Sequence, residues 1–270
     1  MKIGVMTGLW VFPTTLDDLK ILAPKAAQMG FDLIEVPIVD TSPFDYARAG
    51  EIIKDSGLGA SLVTIMTPDR DLLDSEAAVR ENGLNHLRRC IDAVRLMGGT
   101  NVCGPFYSAA GRIWQITPEE RAKLIDLLVE QLRSISSYAA ENGAVLSIEP
   151  LNRYHTSFLK LSSQAVEVVD RVGSPACGLM LDTFHMNIEE TSLGDAIRTA
   201  GRRLVELHAC DNDRGAPGSG HLAWTEIAAA LHDIQYDGPV VIESFTDQIK
   251  PLAPDALAQA GVKFLRQLLA

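Results

Sequence analysis

The sequence predicts a single (β/α)8 TIM barrel spanning residues 1–270. Three observations point there. The chain has 270 residues and is 47% hydrophobic, a length close to the usual barrel and enough apolar material for a large core. Eight short apolar runs alternate with amphipathic segments from end to end, which favours parallel strands buried on both faces. Four of those runs end in a carboxylate or an imidazole, at the positions that face the mouth of such a barrel.

Taken in order, KIGVMT (2–7) reads as the first strand, followed by a helix over 16–29 that stops at Gly30. FDLIEVPI (31–38) is the second strand, with a helix from about Phe44 to Ser56. GASLVTI (59–65) leads to a long helix over 75–97, and TNVCG (100–104) to a helix opened by Thr117 as cap and Pro118 at its first position. That helix runs to about Asn142, with Gly143 as its left-handed stop. AVLSIE (144–149), ACGLMLD (176–182), LVELH (204–208) and PVVIES (239–244) are the last four strands. Their helices are expected over 162–171, 192–200, 225–234 and 255–269. The stretch LDTFHMNIEE (181–190) reads as strand turning into an acidic loop. An open doubly wound sheet is the runner-up, but no GxGxxG follows the first strand.

Charge and cysteine content narrow the function. Lys and Arg number 24 against 35 Asp and Glu, a formal charge of -11, which argues against nucleic acid as a partner. No apolar run reaches membrane-spanning length and no signal-peptide pattern is present, so a soluble, cytoplasmic protein without a membrane partner is expected. Cys90, Cys103, Cys177 and Cys210 are scattered without a CxxC pair and read as reduced core thiols, with Cys210 close enough to His208 to border the site.

Glu149, Asp182, His208 and Glu243 fall at the ends of strands five to eight, where neighbouring strands can arrange four ligands around one ion. Three carboxylates and one imidazole form an oxygen-rich set suited to Mn2+, Mg2+ or Co2+ more than to a structural zinc. Glu149 and Glu243 come from non-adjacent strands and can approach a substrate from different sides. A divalent ion gripping a carbonyl and its neighbouring hydroxyl acidifies the C–H between them. One carboxylate could then remove the proton and the other return it to the opposite face.

Across the whole chain, GFDLIEV (30–36), IEPLNRY (148–154), LDTFHMNIEE (181–190), GDAIRTAG (194–201), PGSGHLAWTEI (217–227) and VVIESF (240–245) resemble the ketose 3-epimerases of the xylose-isomerase-like barrels. The resemblance implies metal-dependent C3 epimerisation of a free ketose of the tagatose, psicose or ribulose type. It implies that Glu149, Asp182, His208 and Glu243 bind Mn2+ or Co2+, with Glu149 and Glu243 also the acid/base pair. It implies further that His185 and Arg214 hold the sugar near C1 and C2, and that the protein assembles as a homodimer or homotetramer.

Departures from the family pattern are localised. His155 stands where the pattern has a substrate-binding Glu, Met6 occupies an aromatic position, and Ala110 lies near the place of a Trp. His155 remains a candidate substrate contact, and its presence keeps aldose–ketose isomerisation or elimination from a 3-keto sugar open on the same centre. His221 reads as a rim residue, and His86 and His232, placed mid-helix far from the strand ends, receive no role.

Overall fold

The computed structural model describes residues 1–41, 44–245 and 253–270. Eight parallel strands close into a barrel in chain order: β1 (Lys2–Met6), β2 (Leu33–Pro37), β3 (Gly59–Val63), β4 (Asn101–Gly104), β5 (Val145–Ile148), β6 (Cys177–Asp182), β7 (Leu204–Ala209) and β8 (Pro239–Ile242). The ring shuts where β8 pairs with β1, from Lys2↔Pro239 to Val5↔Ile242. Around it run α1 (Leu16–Met29), α2 (Tyr46–Asp55), α3 (Ala77–Leu96), α4 (Pro118–Glu141), α5 (Ser162–Val172), α6 (Thr183–Glu189), α7 (Leu193–Ala200), α8 (Trp224–Asp233) and α9 (Pro254–Leu268).

The local chemistry explains the boundaries. Thr15 and Asp18 form a capping box at the start of α1, and Thr117 and Glu120 another at α4, each satisfying backbone N–H groups that the first turn leaves unpaired. Gly143, expected as the stop of α4, takes a left-handed φ of 64°. At the end of β4, Gly104 has φ 125°, and a Cβ there would sit 2.2 Å from the Thr64 carbonyl oxygen. Only glycine lets β4 lie that close to the chain leaving β3.

One expectation needs correcting. Residues 183–189 form the short helix α6 rather than a loop, because the Asp182 side chain accepts hydrogen bonds from the backbone N–H groups of Phe184 and His185. The acidic tail of that stretch reads as loop-like in composition. The cap lies at its start, and a single carboxylate nucleates the turn.

The core has two parts. A large apolar layer lies between strands and helices, and a smaller one, Met6, Leu33, Val63, Cys103, Met180 and Val241, fills the barrel interior. Fully buried polar side chains share that interior, Glu35, Ser147 and Glu206 among them. All four cysteines are buried and unpaired, as expected. Among the described residues no helix is long and apolar enough to cross a membrane.

Candidate active site

The barrel brings all four expected ligands to one end. Glu149 and Glu243 each follow the last residue of their strand, β5 and β8, while Asp182 closes β6 and His208 is the penultimate residue of β7. Asp182 and His208 are direct register partners. Ligating atoms of Asp182, His208 and Glu243 lie within 4.8 Å of one another, and so do those of Glu149, Asp182 and His185. Asp182, His208 and Glu149 are buried; Glu243 is half-buried and lines a cavity of about 620 Å³ together with Met6, Trp10, Val63 and Phe245.

Arg214 is drawn into this cluster instead of lying exposed on its polar loop. It is 7% exposed and adopts a left-handed φ of 62°, a conformation unusual for a non-glycine residue. Its Nη1 donates to Asp182 Oδ2 and, at 2.8 Å, to Glu243 Oε2. The guanidinium also packs 4.3 Å from the Phe184 ring centre and 5.3 Å from that of Phe245. Despite burial, its two carboxylate partners hold Arg214 firmly charged.

His185 sits beside it. The backbone N–H of Asn152 donates to Nδ1 at 3.1 Å, while the Arg214 guanidinium, a donor only, faces Nε2, so a donor stands against each ring nitrogen. Burial pushes its pKa down to about 3, and Arg214 adds to that against the pull of Asp182, so the ring is neutral near pH 7. Nε2 lies 3.1 Å from Arg214 Nη2 and 3.8 Å from Glu149 Oε1. The neutral ring can accept from only one of its two donors, so an incoming oxygen that took the Arg214 N–H would free Nε2 to carry the proton.

The carboxylates differ in their surroundings. Burial, reinforced by Glu243 and Asp182, raises the Glu149 pKa well above the ordinary range. Asp182 is lowered although burial opposes it, because Arg214 and His185 favour its anion. Glu243 and Asp182 crowd Glu149, and a cation entering among the three acidic groups would relieve that repulsion. His208 sharpens this point: its Nδ1 is buried without a hydrogen-bond partner and lies 3.4 Å from Glu243 Oε2. An unpartnered imidazole nitrogen among three carboxylates fits a divalent cation.

The remaining expectations are placed as follows. His155 is exposed, with its ring edge toward His185 at 5.4 Å between centres. Cys210 borders the cluster, its Sγ 3.9 Å from Asp182 Oδ1. His221 is exposed on the rim. His86 is not remote from the strand ends: its Nε2 is 2.8 Å from Thr64 Oγ1, one residue past β3, because α3 packs its inward face against that strand end.

Sequence reasoning missed four residues. Asn152, which orients His185, lies inside the quoted IEPLNRY segment and could have been weighed there. Glu35, Cys103 and Glu206 form a buried polar group with His208. Their signal was an acid in the middle of an apolar strand, FDLIEVPI and LVELH, where an inward-facing carboxylate has no place in an ordinary core.

Comparisons with known proteins identify the family. Residues 23–268 match the family model described as xylose isomerase-like TIM barrel. The ketose 3-epimerase of Arthrobacter globiformis is 32% identical over 97% of this chain and 89% of its own length. The D-psicose 3-epimerase of Agrobacterium fabrum is 36% identical over 82% of this chain and 77% of its own. A crystal structure of D-allulose 3-epimerase from Methylomonas sp. in complex with D-allulose superposes with a TM-score of 0.90 at 27% identity, covering 99% of this chain and 96% of that one. The chain therefore belongs to the xylose isomerase-like TIM-barrel family and is a carbohydrate epimerase or isomerase of the ketose 3-epimerase kind.

Proposed function

We propose that the protein interconverts the C3 epimers of a free ketose of the tagatose, psicose or ribulose type, with Glu149 and Glu243 moving the proton. The observation that carries this reading is the pair of carboxylates on non-adjacent strands, opening on one site beside a fixed imidazole and a buried guanidinium. The relatives named ketose 3-epimerase and D-psicose 3-epimerase support the substrate class.

Glu149, Asp182, His208 and Glu243 are the residues that would hold a divalent ion, Mn2+ first because three carboxylates with one imidazole suit an ion of intermediate hardness, with Co2+ and Mg2+ next. Bound there, such an ion supplies Lewis acidity that polarises a substrate carbonyl and acidifies the neighbouring C–H. The side chains do the rest. One of the two glutamates accepts the C3 proton and the other returns a proton to the opposite face, which inverts the centre. His185, with Nε2 protonated once substrate takes the Arg214 N–H, and Arg214 donate to the oxygen that gains negative charge as the proton leaves. His155, whose ring lies 5.4 Å from that of His185 between centres, is the candidate substrate contact at the position where the family pattern has a Glu. A homodimer or homotetramer is the assembly implied by the family resemblance, and sedimentation of the purified protein tests it.

The test of the reaction is turnover of free ketoses by the Mn2+-supplemented protein in heavy water, followed by NMR. The expected product is the C3 epimer carrying deuterium at C3 alone. An aldose product would favour isomerisation on the same centre, and loss of a leaving group from a 3-keto sugar would favour elimination. Epimer formed without solvent label would overturn proton transfer altogether.

A further inference from the structure

Beneath the site lies a second polar group with no part in the proton chemistry described above. Glu35 on β2, Cys103 on β4 and Glu206 on β7 meet inside the barrel around His208, and all four are fully enclosed. His208 Nε2 is 3.0 Å from Glu35 Oε1 and 3.3 Å from Glu206 Oε1. The Cys103 thiol lies 3.1 Å from Glu35 Oε2 and 3.2 Å from Glu206 Oε1, and Ser61 Oγ donates to Glu35 Oε2 at 3.0 Å. The two nitrogens of His208 thus face different surroundings: Nε2 lies in ion-pair range of two carboxyl groups, with Glu35 Oε1 making no hydrogen bond and Cys103 Sγ at 4.0 Å, while Nδ1 makes no hydrogen bond and lies 3.4 Å from Glu243 Oε2.

Barrel interiors are ordinarily filled by branched apolar side chains, and enclosing a carboxylate is unfavourable even after relaxation. Two of them aimed at one imidazole nitrogen need a reason beyond packing. We propose, on the reading of the metal centre given above, that Glu35 and Glu206 are positioning residues whose carboxyl groups, within 3.3 Å of His208 Nε2, keep the ring's proton on that side and so present Nδ1 to the ion. An imidazole that donates one N–H to a carboxylate is locked in orientation and is a more basic ligand at its other nitrogen. Ser61 and Cys103 hold the carboxyl groups in turn, so the ligand is braced from β2, β3 and β4 across the barrel.

The test is Mn2+ affinity by titration calorimetry for wild type, E35Q, E206Q and the double variant, with circular dichroism to verify folding. Losing such a partner weakens metal binding about 10- to 100-fold, and the double variant is expected to lose at least as much as either single one. Variants that stay folded and bind Mn2+ as tightly as a metal-binding wild type overturn this inference alone. A wild type that binds no Mn2+ overturns it together with the reading of the metal centre. If the variants do not fold, 15N NMR of the Zn2+-loaded wild type decides the matter. His208 protonated at Nε2 and metal-shifted at Nδ1 is expected, and the reverse assignment overturns the proposal.

Discussion

Replacing Glu149 by glutamine separates the two halves of the proposed proton transfer. Glu149 and Glu243 come from β5 and β8 and flank the cluster of Asp182, His185 and Arg214. If each glutamate serves one face of the sugar, the Glu149→Gln substitution removes proton transfer on one face and leaves the other intact. Positioned acid/base groups contribute about 10²- to 10⁴-fold, or roughly 3–5 kcal/mol of the barrier at about 1.4 kcal/mol per tenfold. E149Q should therefore lose epimerisation by that factor while one of the two epimers still exchanges its C3 proton with heavy water through Glu243. E243Q should show the opposite preference, exchanging only the other epimer. The assay is proton NMR of each pure epimer in heavy water, with metal content measured in parallel because both glutamates are also proposed ligands. Epimerisation within tenfold of wild type at full metal content, or exchange of both epimers by E149Q, would refute the two-face reasoning.

Three further changes probe the surroundings. R214M leaves Asp182 and Glu243 without their cation; the protein should lose about 3–5 kcal/mol of stability to urea, as expected for breaking a buried pair, and added Mn2+ should restore more stability to it than to wild type. H155E supplies a charged acceptor beside His185, and a hydrogen bond of about 1.5–3 kcal/mol should raise kcat/KM on free ketoses about 10- to 100-fold; an unchanged value would remove position 155 as a contact. His86 gives the chain a pH dependence. Burial, then Arg70 and Arg89, push its pKa down to about 4 from 6.5, so its neutral form is fully favoured above pH 6.5 and stability falls as pH drops from there toward 4. Over that window the loss is about 3 kcal/mol, and H86Q unfolded by urea at both ends should show it reduced or absent.

The fold was legible because two periodicities and the helix stops say the same thing along the whole chain. Thr15 and Thr117 announce their helices, Gly143 ends one, and the strand runs are too apolar to have an exposed face. The four proposed ligands were legible for a related reason: a charge at the end of a buried strand stands out against its run. What failed depended on contacts made in three dimensions. α6 was missed because its cap, Asp182, already had a role at the strand end. His86 looked remote because its helical position says nothing about Thr64, which arrives from β3. Glu35 and Glu206 sit mid-strand, where a period-two reading allows either face, and only barrel closure reveals that they meet at His208.

The central claim is that Glu149, Asp182, His208 and Glu243 grip one divalent ion where proton transfer takes place. Anomalous diffraction from active crystals grown with Mn2+ tests it most directly. The expected result is a strong peak bonded to those four side chains, with His208 contributing Nδ1. Active crystals with no peak there, or with the peak at another set of residues, would contradict the account.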